Sequence, residues 1–157
     1  MRSSRSLLVV ALLYSAATLH APPAAAQPVA VKHAWVRAPA PGQNIAAAYM
    51  ELTSKANLLL VGVASPVAAR AELHSSSVEQ GVMKMRPVER IELPSGKPVK
   101  LAPGGLHVML IELKQPLRSG AKVPLTLTVQ RADLTNRSVF TVQAEVRSAP
   151  PEPSHHH

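Results

Sequence analysis

The chain has 157 residues, with 17 Lys and Arg against 9 Asp and Glu, and it contains no cysteine. No disulfide can therefore stabilise it, and this length suffices for one domain held together by a hydrophobic core. Only 3% of the residues are aromatic, too few for base-stacking platforms, so the net charge of +8 does not indicate a nucleic-acid partner. The charge favours an acidic protein surface or anionic headgroups as a partner, unless it serves solubility alone.

Residues 1–26 have the features of a signal peptide. Two early arginines precede an apolar run over residues 7–19, and alanines just before Gln27 supply the small side chains of a cleavage site. A membrane-spanning helix needs about 20 continuous apolar residues, and neither this run nor any later segment is long enough. We therefore expect export, cleavage near Ala26-Gln27 and no stable membrane span afterwards, with an uncleaved leader retained as an anchor as the alternative. Removal of the two arginines leaves 15 basic and 9 acidic residues, a net charge of +6.

Short strands separated by proline and glycine account for most of the remaining chain. They are predicted, in chain order, at Val29–Val36, Ala46–Thr53, Leu58–Ala64, Ala69–His74, Val82–Ile91, Val99–Leu101, Leu106–Leu113, Val123–Gln130 and Val139–Val146. Many short strands at this spacing are typical of a β-sandwich or barrel, so we predict one all-β domain over residues 27–149. Trp35 is expected to anchor its core. The alanine-rich segment 44–50 is also compatible with a helical turn.

Two histidines and two methionines follow a fixed spacing in the middle of the chain. Ten residues separate His74 from Met85, and 21 more precede the pair formed by His107 and Met109. Two imidazoles with two thioethers suit Cu(I), a soft ion that accepts sulfur ligands where zinc, iron or magnesium would not. Each residue alone would more often be a packing residue, but their joint spacing favours a metal site.

The predicted strands indicate how one ion reaches these side chains. His107 and Met109 are two residues apart in a strand and therefore project from one face. The midpoint between His74 and Met85 falls between residues 79 and 80. A hairpin turning there would place the two side chains directly opposite each other, with Cβ atoms about 5 Å apart.

Two further methionines have more ordinary explanations. Met83 shares the face of Met85 and is either a packing residue, an auxiliary contact to the metal or the substitute ligand if the register differs. Met50, with Leu52 two positions later, is expected to pack in the core.

Four segments of the chain resemble the periplasmic copper chaperones called PCu(A)C proteins, which share the pattern H-x(10)-M-x(21)-H-x-M. These segments are Ala46–Met50, Ala71–His74, Gly81–Val88 and Leu101–Leu110. The resemblance extends from about Trp35 to about Val129. It implies Cu(I) ligation by the four motif residues, a cupredoxin-like Greek-key β-sandwich or barrel, and a periplasmic location. It also implies delivery of copper to an acceptor protein, a cytochrome oxidase subunit or one of its assembly factors.

The last residues of the chain, 150–157, form a tail rich in proline and histidine. Its three prolines do not support a packed element, and His155, His156 and His157 end it. Imidazoles on a flexible segment bind Cu(II), which prefers nitrogen to thioether sulfur. The tail is therefore a candidate second copper site, with a truncated tag or a tail without function as the alternative.

Catalysis finds no support in the motifs. Asp133 is the only aspartate, and neither G-x-S-x-G nor H-E-x-x-H occurs. A blue-copper electron-transfer domain needs a cysteine thiolate, which is absent. We therefore predict a copper carrier that is not an enzyme. The alternative is a metal-free β-sandwich for binding or adhesion, in which the histidines and methionines only pack.

Overall fold

A computed structural model describes residues 27–133 and 136–148 of the chain. These described residues form ten β-strands and no α-helix, so they offer no apolar helix that would span a membrane. In chain order, the strands are β1 (Val29–Arg37), β2 (Ile45–Ser54), β3 (Leu58–Ala64), β4 (Ala68–Glu79), β5 (Val82–Pro87), β6 (Ile91–Leu93), β7 (Pro98–Leu101), β8 (Leu106–Leu113), β9 (Lys122–Arg131) and β10 (Arg137–Arg147). The predicted signal peptide and histidine tail lie outside the described residues.

All ten strands belong to one sheet, which curls around a hydrophobic core. They neighbour each other in the order β5-β4-β8-β2-β1-β10-β9-β3-β6, and β7 pairs with β2. Only β1 and β10 pair in parallel among these described strands. Nine strands contribute buried side chains to the core, whereas all six residues of β5 are exposed. The predicted all-β sandwich or barrel is thus confirmed, with β5 at one edge.

One prediction about a single segment is wrong. The strand predicted over residues 82–91 is divided, because Pro87 has no N–H to donate to a ladder and ends β5. The chain then forms β6 from Ile91 onwards, which pairs with β3 at the other edge of the sheet. The strand predicted over residues 46–53 is confirmed, and the alternative of a helical turn over residues 44–50 is not observed. This segment lies largely in β2, where every second side chain is buried in the core, the period of a strand.

A β-bulge in β1 changes which of its side chains face the core. His33 has a positive φ of 53°, and the register with β2 shifts just before Trp35. Val29 and Val36 both pack in the core, although strict alternation would place residues seven apart on opposite faces. The extra residue of the bulge therefore turns Trp35 away from the core, to a position directly opposite Tyr49.

A tight turn between β4 and β5 sets the register of their hairpin. Gln80 and Gly81 have positive φ values of 53° and 78°, and Glu79 pairs with Val82 to close the turn. A two-residue loop with positive φ at both positions is a type I′ turn, which favours glycine. The turn is therefore centred between residues 80 and 81, one residue later than the sequence midpoint predicts.

The later turn moves every pair of the hairpin by two residues. His74 lies opposite Pro87, and Met85 lies opposite Ser76, so the prediction that His74 and Met85 are direct partners is wrong. An offset of two residues nevertheless keeps both side chains on one face. Diagonal neighbours of this kind lie about 7–8 Å apart, within reach of a long side chain such as methionine.

We expect Gly81→Ala to lower the free energy of unfolding by about 1 kcal/mol, because a Cβ disfavours a left-handed conformation. Nothing lies within 4 Å of the added Cβ, so the loss arises from the backbone alone. Gly62→Ala is the matched control, since its φ is not positive and its new methyl group meets Thr128 at an ordinary contact distance of 3.5 Å. Urea unfolding measures both variants, and equal losses would contradict the turn assignment.

Candidate metal centre

The four motif residues share the face of the sheet that points away from the core. In β8, Val108 and Leu110 are completely buried in the core, so His107 and Met109 project from the opposite face. His74 in β4 is the direct cross-strand partner of His107 and therefore shares that face. Met85 in β5 is the diagonal neighbour of His74 and lies on the same face.

His74 and His107 form a pair of opposed imidazoles. Their ring centroids are 5.8 Å apart, and the planes are inclined by 47°. The His107 side chain lies deep, with 3% of the residue exposed, and the His74 side chain is 14% exposed. The spacing in the sequence did not reveal this pairing, because it depends on the register between β4 and β8, which are far apart in the chain.

Each imidazole uses one ring nitrogen for a hydrogen bond and leaves the other without a partner. His107 donates from Nδ1 to the carbonyl oxygen of Gly105 over 2.9 Å, and His74 donates from Nε2 to a carboxylate oxygen of Glu72 over 3.0 Å. These acceptors fix the tautomers, because neither oxygen carries a proton to donate. The remaining nitrogens, His74 Nδ1 and His107 Nε2, are buried without a hydrogen-bond partner.

Unpartnered buried nitrogens are costly, since an unsatisfied polar atom typically costs about 1–3 kcal/mol. Two such atoms on facing rings indicate a ligand that accepts lone pairs from both, and a metal ion is such a ligand. In the part of the chain that the structure describes, no three His, Cys, Asp or Glu side chains form a group able to hold a metal. An ion at these histidines would therefore need other donors, and sulfur is the available one.

Met85 and Met109 line one shallow pocket of about 210 Å³, and neither His74 nor His107 is among its lining residues. Tyr49 lines the same pocket, and its ring centroid is 6.3 Å from that of His107. Met85 is 54% exposed, so the pocket opens to solvent on the β5 side. Met83 is also exposed but lies nearer the hairpin tip, opposite Val78, and does not line this pocket. The structure thus groups the two motif methionines with each other and leaves Met83 outside.

A larger pocket, of about 770 Å³, lies elsewhere in the described residues. Val29, Leu58 and Val129 are among its lining residues, and none of the four motif residues is. Cavity size therefore does not locate the candidate centre. The donor atoms do.

Aromatic side chains form a layer beside the histidine pair. Trp35 stacks on Tyr49 with 4.8 Å between ring centroids, and the Arg37 guanidinium lies over both rings at 5.9 and 5.7 Å. Burial raises the pKa of the Tyr49 hydroxyl and Arg37 partly opposes this, so Tyr49 stays a neutral phenol.

Trp35 is buried, as expected, but in this layer and not in the main hydrophobic cluster. Met50 is buried in the core as predicted.

The motif analysis missed Glu72 and Tyr49, which both contact the histidines of the site. The signal for Glu72 was present, because a residue two positions before His74 shares its face of a strand. Tyr49 gave no such signal, since its place beside His107 depends on how β2 and β8 pair.

Comparisons with known proteins identify the family of this chain. The family described as "Putative lipoprotein LpqE-like" matches residues 29–145. A relative from Leifsonia xyli subsp. xyli, the putative lipoprotein Lxx21020, is 33% identical over 135 residues, which cover 80% of this chain and 81% of the relative. The chain therefore belongs to the LpqE-like family of putative lipoproteins.

Two solved structures share the fold. The apo PCuAC domain of PmoF1 has a TM-score of 0.63 at 25% identity, covering 78% of this chain and 96% of the domain. The Cu(I) form of DR1885 from Deinococcus radiodurans has a TM-score of 0.56 at 37% identity, covering 80% of this chain and 82% of its own. The resemblance to PCu(A)C proteins seen in the sequence is thus confirmed.

Substitutions at neighbouring positions of β8 test the assignment of its two faces. Leu110→Ala should lower the free energy of unfolding of the metal-free protein by about 3 kcal/mol, because it leaves a cavity in the core. Met109→Ala should cost less than about 1 kcal/mol, since its side chain borders an open pocket. Thermal and urea unfolding measure both. A larger loss at Met109 would mean that the faces are reversed.

Proposed function

We propose that this protein is a copper metallochaperone that binds one Cu(I) ion through His74, Met85, His107 and Met109. The observation that carries this proposal is the pair of buried ring nitrogens without partners, one on each of two facing histidines. Two thioethers on the same face of the sheet complete a donor set that suits a soft monovalent ion. The Cu(I) form of DR1885, a similar protein, adds support.

Exposure differs among the four proposed ligands in a way that suits a carrier. The His107 side chain is almost fully buried, whereas more than half of Met85 is open to solvent. A ligand from an acceptor protein therefore reaches copper first on the Met85 side. Thioethers carry no charge and are displaced one at a time by partner thiolates or imidazoles. This exchange transfers copper without redox chemistry, so the proposed role is not enzymatic.

The proposed compartment is the periplasm and the proposed destination is cytochrome oxidase, through one of its subunits or assembly factors. The leader over residues 1–26 and the match to a family of putative lipoproteins support export. The destination rests on the PCu(A)C resemblance. We also propose the division of the chain that the sequence predicts. A leader is followed by one copper-binding domain and by a tail over residues 150–157.

X-ray absorption of the Cu(I)-loaded protein should show both nitrogen and sulfur scatterers. Met85→Ala and Met109→Ala should each remove sulfur from the shell and weaken Cu(I) binding in an anaerobic chelator competition. Met83→Ala is the matched control, because it removes an equally exposed methionine from the same strand outside the pocket. A copper shell without sulfur would contradict the proposal, and an equal effect of Met83→Ala would make Met83 a ligand.

Thermal melting with and without Cu(I) separates the proposal from its alternative, a metal-free β-sandwich in which the histidines and methionines only pack. Free Cu(I) at 100 times its dissociation constant stabilises a folded binder by about 2.7 kcal/mol, which raises the melting temperature by several degrees. A melting temperature indifferent to Cu(I) would favour the metal-free alternative.

Deletion of residues 154–157 should weaken Cu(II) uptake and leave Cu(I) affinity nearly unchanged. His155, His156 and His157 offer only nitrogen donors, whereas the domain offers two soft sulfurs. Met109→Ala should do the reverse. Parallel titrations with each ion compare the two variants, and a tail deletion that weakens Cu(I) binding as much as Met109→Ala does would mean that the two sites are not separate.

A further inference from the structure

Glu72 stands between a proposed copper ligand and a chain of charged side chains. One of its carboxylate oxygens accepts the hydrogen bond from His74 Nε2 at 3.0 Å. Its other oxygen lies 3.9 Å from the Arg70 guanidinium, which also bonds the Glu112 carboxylate at 3.2 Å. Glu112 adopts a positive φ of 57° within β8. These groups therefore form a row from Glu112 through Arg70 and Glu72 to His74.

Three members of the row lie on the face of the sheet that carries the motif residues. Arg70, Glu72 and His74 are alternate residues of β4, so their side chains project from the same face. Glu72 is also the direct cross-strand partner of Met109. The carboxylate is therefore adjacent to two of the four proposed ligands, although it is not one of them.

A carboxylate in this position determines which nitrogen of His74 is free. A neutral imidazole carries its proton on one ring nitrogen, and an acceptor at Nε2 holds the proton there. The lone pair then resides on Nδ1, which is buried and without a partner. The Gly105 carbonyl has the opposite effect on His107, where it holds the proton on Nδ1 and leaves Nε2 free.

We propose that Glu72 is a positioning residue of the copper site, which fixes the tautomer of His74 so that copper binds Nδ1 of His74 and Nε2 of His107. The inference rests on the proposed function only in taking these histidines as ligands. The carboxylate also makes the imidazole a stronger donor, as acceptors behind metal-bound histidines generally do. Its negative charge further offsets the positive charge that Cu(I) brings to a set of four neutral ligands.

The tautomer can be tested without copper, by nitrogen NMR of the imidazole rings in the metal-free protein at a pH where they are neutral. In the native protein, His74 should carry its proton on Nε2 and His107 on Nδ1. Glu72→Ala should let His74 populate both tautomers and leave His107 unchanged. A native His74 protonated on Nδ1, or a His74 tautomer indifferent to Glu72→Ala, would overturn the proposal.

Copper affinity provides the second readout, measured by anaerobic chelator competition. Glu72→Ala should weaken Cu(I) binding about 10- to 100-fold, the usual effect of removing an acceptor behind a metal-bound histidine. Glu72→Gln keeps an oxygen acceptor and should recover part of that loss. Glu51→Ala is the matched control, because Glu51 is an ion-paired carboxylate on the same face that contacts neither histidine. Melting of the metal-free variants shows that each is folded.

The two readouts separate this proposal from the proposed function. A native protein that binds no Cu(I), but shows the Glu72-dependent tautomer, overturns the copper role and leaves the positioning of His74 established. If Glu72→Ala binds Cu(I) as tightly as the native protein does, the positioning role alone is overturned.

Discussion

The antiparallel pairing of β4 with β8 is the interaction on which both the core and the site depend. It places Leu73 beside Val108 in the core and, one residue further along, His74 beside His107 on the opposite face. Because alternate residues of a strand point to opposite faces, one register sets both arrangements. A slip of a single residue would bury the imidazoles and expose the leucine, so the hydrophobic core keeps the face of the proposed metal site in place.

Three residues other than glycine adopt positive φ in the described part of the chain, and each bears on this face. His33 forms the bulge that turns Trp35 towards Tyr49, Gln80 helps to set the hairpin register of the β5 methionines, and Glu112 presents a carboxylate to Arg70. Left-handed conformations cost roughly 1–2 kcal/mol at such residues. Strained backbone is typical of functional regions, where the surrounding structure maintains it.

The face combines a rigid part with an accessible part. The histidines are held by acceptors on Glu72 and Gly105 and lie against the aromatic layer of Tyr49 and Trp35. Met85, in contrast, is exposed and belongs to β5, an edge strand that contributes nothing to the core. Elements with few buried contacts open at low free-energy cost. A binding site with one such side suits a protein that must both hold an ion and release it.

The sequence by itself determined the all-β fold and most strand positions, and it supplied the proposed donor set, because alternating apolar residues, turn residues and ligand chemistry are local properties. It also indicated that His107 and Met109 share a face, since that follows from strand geometry alone. The tertiary structure decided the rest. The pairing of His74 with His107, the diagonal place of Met85 and the contacts of Tyr49 all depend on registers that a turn, a bulge and long-range strand pairing set. Such registers minimise the free energy of the whole sheet, and so no single segment reveals them.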